Sequence, residues 1–281
     1  MTLYLKLIKI NILISSLLSF TVSFALSKSA GIFTPLFAYA FLGIMFSAAG
    51  AAALNHTQEK KYDAKMERTK NRPIASNKLS TKAGYIFSIS LIILGSLFLL
   101  KTNALTFTLN CLTILIYNGI YTPLKRISII NTYIGTIPGA LPALCGWAAS
   151  TGQINTLNAW FVFLLVLCWQ CPHFFTINWI YKHDYHKAGF KMIASVTNKQ
   201  YFLGTQCIFF SILLIIISLI PSITGLLPFS YAVFATSLGL LFLLSCIYFS
   251  IKKSEFAARL SFRMSLIYLI TVLTVILSIS L

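Results

Sequence analysis

Residues 31–73 read GIFTPLFAYAFLGIMFSAAGAAALNHTQEKKYDAKMERTKNRP. Residues 31–54 carry no charge, and a run of that length exceeds the roughly 20 residues an α-helix needs to cross a bilayer. The remainder is densely polar. An apolar run leading straight into a ladder of charges predicts a membrane-spanning helix that ends at the membrane surface, with a chemically active segment attached to it.

The rest of the chain repeats the first half of that pattern. Of 281 residues 58% are hydrophobic and 10% charged, with a mean hydropathy of +0.84. A soluble domain carries about one quarter charged residues, so the composition excludes a soluble enzyme. Apolar runs at about 10–27, 31–54, 83–100, 103–120, 132–149, 157–180, 201–220, 229–250 and 263–281 predict an all-α integral membrane protein, a nine-helix transmembrane bundle forming one domain over 1–281. The polar connections at about 55–82 and 181–200 carry its motifs. The first run follows Lys6 and Lys9 and invites comparison with a signal peptide. Its apolar part is longer than a signal core, and FALSKSAG at 24–31 offers only a weak cleavage pattern, so it reads as a retained helix.

Twenty-two Lys and Arg against five acids give a net charge of +17. Successive loops from the N-terminus hold 2, 1, 8, 1, 2, 0, 4, 0 and 4 of these basic residues, so they gather on alternate connections. That asymmetry places the N-terminus and the even-numbered connections on the cytoplasmic side of the cell inner membrane. Topology and contact with anionic membrane lipid account for the excess, and no nucleic-acid partner is expected. Cys111, Cys145, Cys168, Cys171, Cys207 and Cys246 all lie within expected spans and read as small apolar residues.

Asn55, Glu59 and Asp63 recur every four residues, which sets three oxygen-bearing side chains on one helical face, and Glu67 continues the series. Carboxylates stacked this way repel unless a cation lies between them, and an oxygen-only donor set suits Mg2+ bridging to substrate phosphates. Lys60, Lys61, Lys65, Arg68, Lys70 and Arg72 add phosphate donors. Metal and basic residues at the end of a span read as a lipid diphosphate site. An ordinary loop of helical Glu–Lys and Glu–Arg pairs is the alternative. A second cluster, YKHDYHKAGFKM at 181–192, holds Asp184 among lysines, and the four histidines all fall in or beside the two clusters.

Between the clusters, YTPLKRISIINTYIGTIPGALPALCGWAASTG at 121–152 opens with Lys125 and Arg126 and continues into a Gly- and Pro-rich span. Small residues there allow close approach of either a flat ligand or a neighbouring helix. CWQCPHFFTINW at 168–179 places His173 one residue past Pro172 within a span, where an ionisable group is a functional candidate. A hydrogen-bonded structural histidine and an axial haem ligand are its other readings. It is expected to face the cavity and not lipid, since an imidazole in hydrocarbon would go unsatisfied.

NHTQEKKYDAKMERTKNRP resembles the Asn-x3-Asp-x3-Asp signature of the UbiA-like intramembrane prenyltransferases, and YTPLKR, GALPALCGWAASTG, WQCPHF and DYHKAG are similar to its haem-farnesylating branch. That resemblance implies a central cavity open toward the cytoplasmic side, with Mg2+ and farnesyl diphosphate bound in it. It implies transfer of the farnesyl group to the 2-vinyl of haem b with addition of a hydroxyl, giving haem O, and association with haem A synthase or terminal oxidase assembly. By resemblance, Asn55, Glu59, Asp63 and Asp184 hold the metal, and Asn55, Asp63, Lys125, Arg126 and Asp184 serve catalysis. Substrate contacts fall to Lys65, Arg68, Arg72, Tyr121, His173 and Tyr185. Glu59 stands where the family most often has Asp, and Tyr181 stands where relatives with aromatic acceptors carry a further Asp. The alternatives are a prenyltransferase acting on an aromatic quinone precursor and, from another class, a polytopic transporter.

Overall fold

The structure is a computed structural model that describes residues 2–196, 200–252 and 254–281. The end of the 181–200 connection, at 197–199, therefore lies outside the described residues. All regular structure among the described residues is helical. The long helices are α1 (Ile10–Leu26), α2 (Pro35–Gln58), α3 (Thr81–Leu99), α4 (Ala104–Leu124), α5 (Thr136–Thr151), α6 (Leu157–Ile180), α7 (Gln200–Ile223), α8 (Phe229–Lys252) and α9 (Glu255–Ser280). Seven stretches are long and apolar enough to cross a membrane: α2, α3, α4, α6, α8, α9 and Tyr201–Ile223 of α7. The expected spans at 10–27 and 132–149 do form helices, of 17 and 16 residues, shorter than the other seven.

Helix starts are written in the sequence. Thr34, Ser80, Asn103, Thr156 and Ser254 each accept the backbone N–H three residues on, at 2.9–3.3 Å. Such caps satisfy donors that hydrocarbon would leave without a partner. α6 continues as one 24-residue helix through Pro172.

Helix α6 sits centrally, against α5, α7, α9 and α1, and 67% of its apolar window is buried, against 22% for α3 at the periphery. Lipid and side chain are equally apolar, so helix association depends on close backbone approach and polar contacts. The contacts of α2 with α3 and α4 show both. A Cβ on Gly50 would lie 2.7 Å from the Ser88 carbonyl, and one on Gly43 2.6 Å from Leu99. Asn110 of α4 donates to Ser47 of α2 at 3.1 Å. On the other side of the bundle a Cβ on Gly146 of α5 would strike the Phe20 carbonyl of α1.

Within α4, residues Leu115–Tyr121 are π-helical. The widened turn ends with the Thr122 N–H bonded to the Tyr117 carbonyl, five residues back. It brings Tyr117 and Tyr121 into a stack, with ring centroids 5.8 Å apart and planes 17° apart.

Gly50→Val is expected to force α2 from α3 and destabilise the bundle by about 1–3 kcal/mol, read as a lower midpoint of thermal unfolding in detergent. An unchanged midpoint would mean that the seam opens at no cost.

Candidate functional site

Helix α2 ends at Gln58, yet the ladder survives the ending. The Glu59 N–H bonds the Asn55 carbonyl at 3.0 Å and the Asp63 N–H bonds the Glu59 carbonyl at 2.8 Å, through the short turn Lys60–Asp63. Asn55, Glu59 and Asp63 are buried, at 0%, 3% and 1% exposure. Carboxylates so buried require compensation. Each rung has a cation from a different part of the chain. Lys9, just before α1, donates to the Asn55 Oδ1 at 2.5 Å. Lys125, just after α4, meets the Glu59 Oε1 at 2.8 Å. Arg72, from the connection to α3, reaches both Asp63 carboxylate oxygens at 2.9 and 2.8 Å. Glu67 departs from the expected series: it is exposed and pairs with Lys70 at 2.5 Å.

These charges set one another. Burial would raise the Glu59 carboxyl, but Lys125, Lys9 and Arg72 hold it below its ordinary value. Burial would lower Lys125, but Glu59 and the phenols of Tyr121 and Tyr117 hold it above its ordinary value. Burial, reinforced by the Arg72 charge, brings Lys9 down to about 7.

Glu59 and Asp63, the two carboxylate rungs, line a cavity of about 280 Å³; Asn55 lies outside that lining and borders it through Lys9. Glu59, Asp63, Arg68, Arg72, Tyr121, Lys125 and Tyr185, all singled out from the sequence, line it. Away from the charges the wall is apolar and small, from Ala48, Ala51, Ala52, Pro138, Gly139 and Pro142, with Phe174 and Ile177 from α6. The Gly- and Pro-rich span lines the cavity at Gly139 and packs on α1 at Gly146.

The two polar connections do meet. Met66 packs with Tyr185, Ala188, Phe190 and Met192 in one apolar cluster. The Lys191 N–H donates to the Lys125 carbonyl at 2.7 Å, and Asn131 donates to the Lys191 carbonyl at 2.9 Å. The Arg68 N–H donates to the Asp184 Oδ2 at 3.3 Å, and the Arg68 guanidinium lies over the Tyr181 ring.

Other expected residues stand elsewhere. Asp184 is outside the cavity lining, and among the described residues no three His, Cys, Asp or Glu side chains come together as a metal-holding group. Asp184 therefore does not join Glu59 and Asp63 here; its carboxylate fastens the two loops. Lys65 is exposed, and Arg126 lies with its guanidinium over the Tyr62 ring, 4.5 Å from the centroid, outside the lining. The expectation that His173 faces the cavity gives way to an interhelical placement. Its ring is stacked between Trp169 and Phe262, and its Nδ1 lies 2.8 Å from the Ser265 Oγ of α9. A hydroxyl on the neighbouring helix meets one ring nitrogen, and the aromatic stack holds the ring at the α6–α9 contact.

The sequence reading passed over Lys9, Tyr117, Gln170 and Asn178, which line the cavity. Lys9 stood in view as a flank of the first apolar run, but its reach of 46 residues to Asn55 has no sequence signal. Tyr117 lies four residues before Tyr121, a spacing that could have found it.

The donor set fits Mg2+. Two carboxylates and one amide oxygen, with no nitrogen or sulfur ligand among them, suit a hard ion that keeps waters and shares phosphate oxygens. Glu59, Asp63 and Asn55 would hold it, and the three cations opposite them would then face a bound diphosphate.

A profile of the UbiA prenyltransferase family matches residues 16–273. A protoheme IX farnesyltransferase of Solibacter usitatus is 36% identical over 82% of this chain and 79% of its own length. Another, of Salinibacter ruber, is 34% identical over 95% and 94%. Among solved structures, digeranylgeranylglyceryl phosphate synthase superimposes with a TM-score of 0.81 at 19% identity, over 99% of this chain and 98% of its own. A UbiA homologue from Archaeoglobus fulgidus, bound to GPP and Mg2+, gives 0.72 at 13% identity, over 98% and 99%. At such identities these two structures report the fold alone.

Removing one member of a buried pair strands its partner. Lys125→Met is expected to destabilise the protein by about 3–5 kcal/mol, and adding Glu59→Leu to recover most of that, as measured by thermal unfolding in detergent. The pH dependence has a definite sign. The folded Glu59 carboxyl lies below its ordinary 4.5. Its contribution is therefore complete above that value and disappears as the pH falls below it. The stability gap between wild type and Glu59→Gln should hold across neutral pH and narrow only in acid.

Proposed function

The chain belongs to the UbiA prenyltransferase family, and from that premise we propose that this membrane enzyme transfers the farnesyl group of farnesyl diphosphate to the 2-vinyl group of haem b, giving haem O. The observation that carries the chemistry is the pairing of Glu59 with Lys125 and of Asp63 with Arg72 at the end of an apolar cavity. The names of the relatives support the acceptor.

Bound Mg2+ would neutralise charge on the diphosphate and so favour its departure. Glu59 and Asp63 would hold that ion, and Lys125 and Arg72 beside them would meet the charge that develops on the leaving oxygens. Lys9 and Arg68 add charge at the same end of the cavity. The stacked Tyr117 and Tyr121 rings line the same end of the cavity, with the Lys125 ammonium over the Tyr121 face. The apolar wall keeps water from the allylic cation until the vinyl group attacks. With the C–O bond broken and diphosphate departed as the leaving group, farnesyl C1 bonds to the terminal vinyl carbon. Water adds its oxygen to the inner vinyl carbon and releases a proton.

At about 280 Å³ the cavity lies just below the usual range for ligand sites, roughly 300–1,000 Å³. It suits one prenyl diphosphate, with the haem macrocycle presented at its mouth. The same reading takes α1 and α5 as two further spans beside the seven. That gives nine, with the N-terminus and the diphosphate end cytoplasmic and the C-terminus outside, in the cell inner membrane.

Membranes containing the protein, given haem b, farnesyl diphosphate and Mg2+, should form haem O detectable by pigment extraction. Asp63→Ala should abolish that product even per molecule of folded protein, which is quantified alongside because the change also strands Arg72, whereas Glu59→Asp should retain activity. Farnesyl transfer to an aromatic quinone precursor in place of haem would reassign the acceptor, and full haem O production by Asp63→Ala would remove the metal ladder.

A further inference from the structure

Thr122 carries no charge, yet it lies fully buried between the π-helical turn of α4 and the first rung of the ladder. Its hydroxyl donates to the Tyr117 carbonyl at 2.8 Å. With that proton committed, the Thr122 Oγ1 offers Asn55 only lone pairs. Asn55 must therefore turn its amide nitrogen toward Thr122, and Nδ2 donates to Oγ1 at 2.9 Å. The amide oxygen is left at the other end, where the Lys9 ammonium already stands on it at 2.5 Å. A carboxylate rung presents oxygen whichever way it rotates. An amide does not: flipped, Asn55 would show two N–H donors to a cation.

We propose that Thr122 is a positioning residue that fixes the amide of Asn55 with its oxygen toward the cation site, and so makes the first rung a metal ligand. The π-helix is the device that permits it. The carbonyl of Tyr117 receives both the backbone N–H and the hydroxyl of Thr122, which holds the Thr122 side chain in a single orientation against α2. The proposal rests on the metal-dependent prenyl-transfer reading, and it adds a residue that acts through Asn55 without touching substrate.

The test compares wild type, Thr122→Val and Thr122→Ser in detergent. Mn2+ binding is titrated by electron paramagnetic resonance with inorganic pyrophosphate present, and the Mg2+ dependence of turnover is measured alongside. Loss of a group that orients a metal ligand typically weakens metal binding 10–100-fold. Thr122→Val should show a weakening of that order in Mn2+ affinity and in the Mg2+ concentration for half-maximal turnover, with turnover at saturating Mg2+ largely kept. Thr122→Ser should match wild type. Adding Asn55→Asp to Thr122→Val should restore Mn2+ affinity, because a carboxylate has no wrong end. If the valine chain does not fold, Thr122→Cys, which replaces the hydroxyl with a weak hydrogen-bonding thiol, carries the same expectation.

Wild-type Mn2+ affinity in both the valine and cysteine chains would overturn the assignment of Thr122 and leave the metal site standing. Reduced turnover at every Mg2+ concentration, with no recovery on Asn55→Asp, would overturn it in favour of a packing role. Failure of the wild type itself to bind Mn2+ with pyrophosphate would overturn the metal reading together with this one.

Discussion

Two carboxylates buried in an apolar helical bundle can persist only if each is paired, and that requirement organises the cavity end of this protein. A charge taken from water into a medium of low dielectric costs several kcal/mol even after relaxation. Glu59 and Asp63 meet the requirement through Lys125 and Arg72, and Lys9 adds a third cation at Asn55. The cations come from the segment before α1, the end of α4 and the connection between α2 and α3. Pairing therefore joins stretches of chain far apart in sequence, and the site forms only as the bundle assembles around it.

The same charges give the site its chemistry. Buried pairs are a weak source of stability compared with apolar packing, because desolvation offsets most of the attraction. Their value here is that both partners are held, already desolvated, beside an apolar chamber. Under the proposed function, the same oxygens would hold a divalent ion, and the cations beside them would face the anion. Fixed charges of this kind need no reorganisation at the moment of bond breaking.

The scaffold that holds them relies on small residues and on one irregular helix. Gly43, Gly50 and Gly146 bring backbones close where lipid supplies no hydrophobic drive. The π-helical turn in α4 places Tyr117 and Tyr121 beside Lys125 and seats Thr122 against Asn55. His173, by contrast, contributes to the α6–α9 contact through Ser265 and leaves the cavity wall to Gln170, Phe174 and Ile177 on the same helix.

The sequence by itself determined the membrane class, the helical stretches and the ladder. Each of these is a local property: the length of an apolar run, a capping side chain at its start, or a four-residue spacing on one helical face. It also marked Lys125 and Arg72, because charge at the end of a span is conspicuous against an apolar background, whereas Tyr121 and Tyr185 were marked only by the family resemblance. Only the tertiary structure decided which carboxylate each cation meets, that Lys9 reaches Asn55, that Asp184 fastens a loop, and that His173 turns toward α9. Helix rotation and loop docking fix those pairings. They depend on packing between segments distant in sequence, where a spacing of three or four residues carries no information.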